Sequence, residues 1–457
     1  MIINNNKFKE PVEILNKTER VSSFKEVEFV LSDSNALKEA QRCLNCKTRP
    51  CVSGCPVGVK IPEFINCIVN NNLEKAYDII SENNFLPAIC GRVCPQEKQC
   101  ESKCVKNKIG EPVAIGRLER YVSDKFIQKN NNYKNNTNKN SRKIAVIGSG
   151  PSGLTCAAEL ASKNFQVDIF EALHTPGGVL SYGIPKFRLP RNILDSEISK
   201  LKNLGVNIKT NIIIGKSLSI KDLFDMNYSA VYISTGAGLP KLMNIPGENL
   251  VGVYYANEFL TRVNLMNAHD TNYDTPMKIP EKILVIGGGN VAMDVARTAV
   301  RIGCKEVFVM YRRTEQDMPA RRDEVIHAKE ENIKFLFLKT PVKFIGENNI
   351  LTGLKYVNIN INNNKLEPDY TQEFELNINN IIIAIGNNSN KILFESEHNN
   401  INFEPDGRII TNTETTQTSM KYVYAGGDAV TGAATVIEAM GAGKRAAEQI
   451  QKDLENI

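Results

Sequence analysis

The sequence predicts an α/β protein in which two doubly wound parallel-sheet units follow an α-helical segment, and three features lead to that reading. Two glycine-rich turns each follow a short β run and open an Ala-rich helical stretch, a cysteine-rich zone precedes both, and a polar Asn-rich run separates that zone from the rest. At 457 residues the chain exceeds one ordinary core and divides into two or three domains.

Composition sets the outer limits. With 42% hydrophobic and 23% charged residues the chain is globular, and a net charge of +5 with both signs interleaved predicts no nucleic-acid partner. The N-terminus lacks an apolar segment behind a basic flank, and nothing approaches the roughly 18 apolar residues of a membrane span. Of eleven cysteines, eight fall in short spacings between Cys43 and Cys104, the others being Cys67, Cys156 and Cys304. That clustering points to metal ligation in a reducing compartment, hence a cytoplasmic protein.

The N-terminal zone reads as helical. Ile61, Phe64, Ile65, Ile68 and Val69 recur at helical spacing, and Leu73, Ala76, Tyr77 and Ile80 repeat the pattern. Its cysteines form Cys43-x2-Cys46-x4-Cys51-x3-Cys55-Pro56 and Cys90-x3-Cys94-Pro95-x4-Cys100-x3-Cys104. Close thiolates on a tight loop wrap an iron–sulfur cluster, and a last cysteine followed by Pro can turn to a second cluster. Structural zinc ribbons would want two CxxC pairs per metal and tolerate His, whereas this zone has one CxxC and no His. Cys67 lies on an apolar helical face, and Cys90 reads equally as ligand or packing.

Residues 128–142 are polar and low in complexity, so they read as an exposed linker. Beyond them the strand Lys143-Ile144-Ala145-Val146-Ile147 runs into Gly148-Ser149-Gly150-Pro151-Ser152-Gly153, a helix, and the strand Gln166–Phe170 ending in Glu171. Glycines there let the backbone approach a pyrophosphate at a helix N-terminus, and the acid suits an unphosphorylated ribose. Far downstream, Gly427-Asp428 follows a β run and precedes a helix opening near Ala434, Thr435 and Val436. An Asp there can bind a ribityl hydroxyl, and the helix dipole can favour a reduced, anionic flavin, which assigns FAD to the first turn.

The fingerprint recurs at Gly287-Gly288-Gly289-Asn290-Val291-Ala292. Its second strand ends in Tyr311-Arg312-Arg313 instead of an acid. Arginine forms bidentate bonds to a 2′-phosphate, so this turn is expected to take NADPH. Arg321 and Arg322, beside acidic residues on an expected helix, are ambiguous.

With Cys90-Gly91-Arg92-Val93-Cys94-Pro95, Ile115-Gly116-Arg117-Leu118-Glu119-Arg120-Tyr121, Gly177-Gly178-Val179-Leu180, Tyr182-Gly183-Ile184-Pro185 and Ala425-Gly426-Gly427-Asp428, the chain resembles the small chain of NADPH-dependent glutamate synthase over essentially its whole length. The module is also similar to the large subunit of electron-bifurcating NADH-dependent ferredoxin:NADP oxidoreductase, to sulfide dehydrogenase and to the N-terminal part of dihydropyrimidine dehydrogenase. Phe187-Arg188-Leu189-Pro190 looks nearer to the stand-alone and bifurcating relatives.

The resemblance implies two [4Fe-4S] clusters, one on Cys43, Cys46, Cys51 and Cys104, the other on Cys55, Cys94, Cys100 and Glu119, with Cys90 a non-ligand. It also implies flavin contacts at Gly178, Val179, Leu180 and Thr235. The expected architecture is two Rossmann-like dinucleotide-binding domains, one inserted in the other, behind an α-helical iron–sulfur domain. Its expected bounds are 1–127 for the cluster domain, 143–253 and 391–457 for FAD, and 254–390 for NADPH.

The expected reaction is hydride transfer from NADPH to FAD, then single electrons through the clusters. No catalytic base is needed, and none of His174, His269, His327 and His398 is assigned chemistry. The resembled large chain carries an N-terminal cysteine nucleophile, whereas Ile2 follows Met1 here. The chain alone is therefore expected not to make glutamate from glutamine. Its expected partner is a glutamate synthase large chain or, alternatively, a ferredoxin together with a second flavoprotein carrying NAD.

Overall fold

The computed structural model describes residues 4–129, 142–362, 365–397 and 399–455. Most of the expected linker therefore lies outside the described residues, as does His398. Its first two positions, Gln128 and Lys129, belong instead to the Ile115–Lys129 helix, because the apolar stripe of that helix continues through Phe126 and Ile127.

The N-terminal segment packs helices Asp33–Ala40, Ile61–Val69, Leu73–Ser81, Pro87–Val93 and Ile115–Lys129. Ser32 caps the first by accepting from the Asn35 N–H, and Pro62 and Pro87 sit in opening turns, where a missing N–H costs nothing. Ile61, Phe64, Ile65 and Ile68 are buried on one stripe, as their spacing predicts. A fully buried Arg42 ties this segment together. It pairs with Glu39 at 2.6 Å and donates to the carbonyls of Asn6, Lys7, Glu111 and Pro112. The stretch that follows Cys104 is thereby pinned to the chain's start. Such a charge is tolerated because all its donors are used, and losing one partner would cost about 3–5 kcal/mol.

The first parallel sheet contains β1 (Lys143–Ile147), β2 (Gln166–Phe170), β3 (Asn207–Lys209) and β4 (Tyr228–Ile233). The chain leaves it through β5 (Leu239–Pro240) and builds a second sheet from β6 (Val253–Tyr255), β7 (Lys282–Ile286), β8 (Glu306–Tyr311) and β9 (Lys334–Phe337). An antiparallel meander follows: β10 (Lys339–Glu347), β11 (Ile350–Asn362) and β12 (Lys365–Asn377). Then β13 (Ile381–Ile383) enters the second sheet, giving the order β6-β13-β7-β8-β9 with every pair parallel.

The return path runs through β14 (Asn387–Asn388), which pairs antiparallel with β5, so outgoing and incoming chains form one short ribbon. Finally β15 (Val423–Ala425) joins β4, and the first sheet reads β15-β4-β1-β2-β3, again all parallel. The second unit is therefore inserted between β4 and β15 of the first.

The units meet through buried charge. Arg188 makes two bonds to Asp294, at 2.7 and 2.8 Å, and lies 3.3 Å from Glu324. Arg297 and Arg301 stack on the Phe187 ring, 4.8 and 3.9 Å from its centroid, while both pair with Glu331. Arg20, near the chain's start, reaches Glu330 at 2.9 Å.

Candidate functional site: two nucleotide turns beside a cysteine field

At the end of β1, Gly148 has φ +96°, and a Cβ there would stand 2.6 Å from the Ser234 carbonyl oxygen and 3.5 Å from the Thr235 Cα. Only glycine makes that turn against β4. A Cβ on Gly153 would overlap the Gly148 carbonyl oxygen, so the third glycine serves helix–strand packing. Gly150 faces open space, and the helix Pro151–Ser162 starts there with Pro in its first turn. The unpaired N–H groups of that turn are of the kind that can cradle a pyrophosphate.

Glu171 is buried at the end of β2. Its carboxylate accepts the Ser149 N–H at 2.9 Å, the Ser149 hydroxyl at 2.5 Å and the Leu173 N–H at 2.8 Å. Ser149 in turn accepts the Gly177 N–H at 2.9 Å. The expected ribose acceptor is thus anchored by its own loop. Ser149, a free position in the fingerprint, escaped the sequence reading because nothing local marks it.

The Gly177-Gly178 loop closes over this turn. Gly178 has φ +54°, and its Cβ would lie 2.9 Å from the Gly150 Cα, which brings Val179 beside the cradle, while Leu180 is buried in the core. From the other end of the chain comes Gly427, φ +66°, where a Cβ would stand 2.9 Å from the Ser152 Cβ. The Ser152 hydroxyl meets the Tyr232 hydroxyl at 2.6 Å. Asp428 accepts the Ala434 N–H at 3.3 Å, and burial pushes its carboxyl up to about 6. Thr435 opens the Val436–Glu455 helix and bonds Glu438 at 2.7 Å.

The second turn has the same strand–turn–helix build with a different lining. Gly287, φ +146°, leaves no room for a Cβ against the Ala384 carbonyl, and a Cβ on Gly288 would meet the Tyr311 ring at 2.5 Å. Gly289 faces only Pro319 Cγ, at 3.9 Å, where the Asn290–Arg301 helix begins. Asn290 accepts the Arg321 N–H at 2.9 Å, so its side chain ties the following loop down, and Val291 is 38% exposed beside it. Arg312 and Arg313 are both exposed and, among the described residues, neither has an ion-pair partner. Arg321 is spent elsewhere, donating to the Arg92 carbonyl at 2.6 Å.

All eleven cysteines are free thiols. Cys43, Cys46, Cys51 and Cys104 line one small cavity, walled by Leu44, Ile61, Ile65 and Val105. Burial pushes the Cys43 thiol up to about 11 and Cys51 to about 12, each raised further by its thiol neighbours. Separately, Cys55 feels Glu119 and Cys94, and Cys100 feels Cys55, Cys94 and Glu119. Glu119 is buried, pushed up to about 7 by that burial, and accepts from Asn84 at 2.8 Å. Thiols and a carboxyl so placed cannot all ionise without a compensating cation, the chemistry of a donor set that binds a cationic cluster.

Cys90 lies 3.4 Å from the Met440 sulfur and 3.7 Å from Asn84, and also contacts Cys94. Cys67 is buried on its helix. The cysteine field touches the helix that closes over the first turn. Gln99 donates to the Thr435 hydroxyl at 3.3 Å, and a Cβ on Gly441 would stand 3.1 Å from the Pro56 carbonyl oxygen. Gln99 and Asn84 were invisible in the sequence, since their roles arise across 336 and 35 residues. Of the described histidines, His269 meets the Phe24 ring at 4.2 Å in a tilted arrangement and His327 is buried beside Arg297 and Glu324. No helix among the described residues is long and apolar enough to cross a membrane.

Comparison with known proteins agrees with this geometry. Residues 20–131 match the family model for the dihydropyrimidine dehydrogenase domain II, 4Fe-4S cluster, and residues 142–443 match that for pyridine nucleotide-disulphide oxidoreductase. The chain is 36% identical over 423 residues to the NAD-dependent dihydropyrimidine dehydrogenase subunit PreT of Escherichia coli (strain K12), spanning 92% of this chain and 94% of that protein. It is 31% identical over 444 residues to the glutamate synthase [NADPH] small chain of Azospirillum brasilense, spanning 94% and 92%. In fold it is similar to FprA of Mycobacterium tuberculosis in complex with NADPH, with a TM-score of 0.59 at 19% identity, covering 69% of this chain and 85% of that one. The chain therefore belongs to the pyridine nucleotide-disulphide oxidoreductase family, in the group of flavin and iron–sulfur oxidoreductases that includes the glutamate synthase small chains.

Proposed function

We propose that this chain oxidises NADPH at the second turn, holds FAD at the first, and delivers electrons through two [4Fe-4S] clusters to a protein partner. The observation that carries this is the direct contact of Gln99, between Cys94 and Cys100, with Thr435 at the helix that closes the first turn. When bound, the flavin accepts a hydride and returns electrons singly, and the clusters carry them one at a time.

The residues divide that work. Gly148 and Gly150 admit the FAD pyrophosphate, Gly153 lets the helix pack close to the strand, Pro151 and Ser152 start that helix, Glu171 receives the adenosine ribose, and Asp428 receives a ribityl hydroxyl. Gly178, Val179, Leu180 and Thr235 shape the flavin cleft, and Ala434, Thr435 and Val436 aim a helix N-terminus at the ring. Gly287, Gly289, Asn290 and Val291 cradle the NADPH pyrophosphate, while Arg312 and Arg313 take its 2′-phosphate. Cys43, Cys46, Cys51 and Cys104 hold one cluster and Cys55, Cys94, Cys100 and Glu119 the other. On this reading residues 143–253 and 391–457 form the FAD domain, with 254–390 as the NADPH domain and 1–127 as the cluster domain.

A large chain of the glutamate synthase type is the simplest partner. The similarity to a dihydropyrimidine dehydrogenase subunit favours a second candidate, a pyrimidine-converting subunit. A ferredoxin with a second flavoprotein is the bifurcating alternative. The test is anaerobic titration of the reconstituted protein with NADPH and, separately, NADH, following the flavin optically and the clusters by electron paramagnetic resonance. NADPH should bleach the flavin and reduce iron at far lower concentration than NADH, and Glu119→Ala should alter one cluster signal alone. Colourless, iron-free material would overturn the reading.

A further inference from the structure

A cavity of about 470 Å3 lies where three parts of the chain meet: the Val27–Leu31 stretch, the segment between Gly91 and Arg120, and the loop and helix from Arg321 to His327. Among the described residues, no cysteine and no glycine of either nucleotide turn lines it.

The walls carry both signs of charge, but the two are not equally satisfied. No carboxylate oxygen of the lining is buried without a hydrogen-bond partner, whereas three nitrogens are: Arg188 Nε, Arg321 Nε and His327 Nδ1. Arg188 is committed to Asp294 and lies 3.3 Å from Glu324. Arg321 and His327 are less so. Arg321 donates one Nη to the Arg92 carbonyl, and its Nε is 3.9 Å from Glu97. His327 is 4% exposed, and Glu324 lies within electrostatic reach of both it and Arg321. At the mouth, Arg117 has only a long contact of 3.8 Å with Glu28, and Arg322 is exposed with no ion-pair partner among the described residues. Leu31, Phe187 and Ile326 supply an apolar side. A buried donor without an acceptor is costly, so this surplus of donors favours a ligand that brings acceptors on a short apolar frame.

We propose that the cavity binds a small organic polyanion, two or more carboxylates on a short carbon skeleton, with the inner carboxylate accepting from Arg321 and His327 and the outer one beside Arg117 and Arg322. The loop that carries Arg321 also walls the second turn. Ala320 donates to the Gly288 carbonyl at 3.2 Å and the Arg321 N–H to Asn290 at 2.9 Å. An anion that fixes Arg321 steadies this loop, so the anion and the pyridine nucleotide tighten each other's binding by the same factor. That coupling rests on the NADPH reading above, and the anion site does not.

The test is calorimetric titration of the holoprotein with succinate and with propane-1,2,3-tricarboxylate, using acetate and inorganic phosphate as comparison probes. At least one of the two polycarboxylates should bind at a single site ~10-fold or more tightly than acetate or phosphate. His327→Leu removes a side chain that makes no hydrogen bond among the described residues, so it should keep its iron and melting temperature while weakening that binding ~5-fold. Arg321→Lys keeps the charge, loses the guanidinium fork and should weaken it ~10-fold. No saturable polycarboxylate binding, phosphate binding as tightly, or unchanged affinity in both folded variants would overturn the site. A saturating polycarboxylate should also lower the Kd for NADP+ ~3-fold in the parent protein and not in the variants. Anion binding without that shift would refute the coupling, and absence of any NADP+ binding would instead sink the nucleotide reading.

Discussion

The two glycine-rich turns share one local design and are closed in opposite ways. In the first, the acid ending β2 is buried and bonded within its loop, Gly178 presses on Gly150, and the helix Val436–Glu455 packs so tightly that Gly443 leaves no room for a Cβ against Ser152. In the second, the basic pair ending β8 is exposed and Gly289 faces little but Pro319. Closure by long-range packing suits a cofactor that stays, and an open basic rim suits a nucleotide that must leave each turnover.

The largest expected effect breaks this contrast most directly. Gly153→Ala forces a Cβ onto the rigid Gly148 carbonyl, so the purified protein should lose its flavin absorbance and melt earlier, by ~3 kcal/mol or more of stability. Gly288→Ala meets only the Tyr311 ring, which can move, and should keep its flavin while NADPH turnover suffers. Equal flavin loss in both would erase the distinction.

Asp428 offers a pH test of burial at the first turn. Its carboxyl titrates near 6 in the folded chain against 3.8 ordinarily, so its contribution to stability is present in full below pH 3.8 and is lost as pH rises through 6. The flavin-free protein should lose about 3 kcal/mol on this account between pH 4 and 7. Asp428→Asn should remove that slope, as read from urea midpoints, and parallel slopes would refute the assignment.

At the second turn, Arg312→Ala with Arg313→Ala should cut the preference for NADPH over NADH by ~100-fold, mainly through KM for NADPH, since each charged hydrogen bond is worth ~1.5–3 kcal/mol. The flavin spectrum should not change. Smallest of all, Ser149→Ala removes the hydroxyl that links Glu171 to Gly177 and should weaken flavin binding ~5–10-fold, a loss of about 1 kcal/mol measurable by titration of the flavin-free protein. A larger loss than that of the arginine pair would mean that the first loop is held chiefly by hydrogen bonds and not by packing.

Both turns and the strands before and after them were legible, because a period-2 apolar run, a glycine that needs positive φ and a helix start are properties of ten neighbouring residues. The N-terminal helical stripe was legible for the same reason. The meander β10–β12 was not, since Ile350–Asn362 and Lys365–Asn377 mix exposed and half-buried positions without a clean alternation. Cys90 stayed ambiguous on spacing alone; its sulfur lies beside Met440, Asn84 and Cys94, contacts that spacing does not reveal. Gln128 and Lys129 read as linker, whereas the helix runs to Lys129; Gln128 is an exposed polar residue, which looks like loop in sequence.

What the amino-acid order settled unaided was the presence of two glycine-rich strand–turn–helix units, an acid at the end of one following strand and arginines at the end of the other, and a cysteine field before them. Tertiary structure alone decided that β15 returns to pair with β4, that Arg188 locks to Asp294 across two units, and that Gln99 reaches Thr435. The reason is entropic. Local elements follow from dihedral preference and apolar period within a few residues, whereas contacts across hundreds of residues must repay the loss of chain freedom jointly, through burial that no single segment contains.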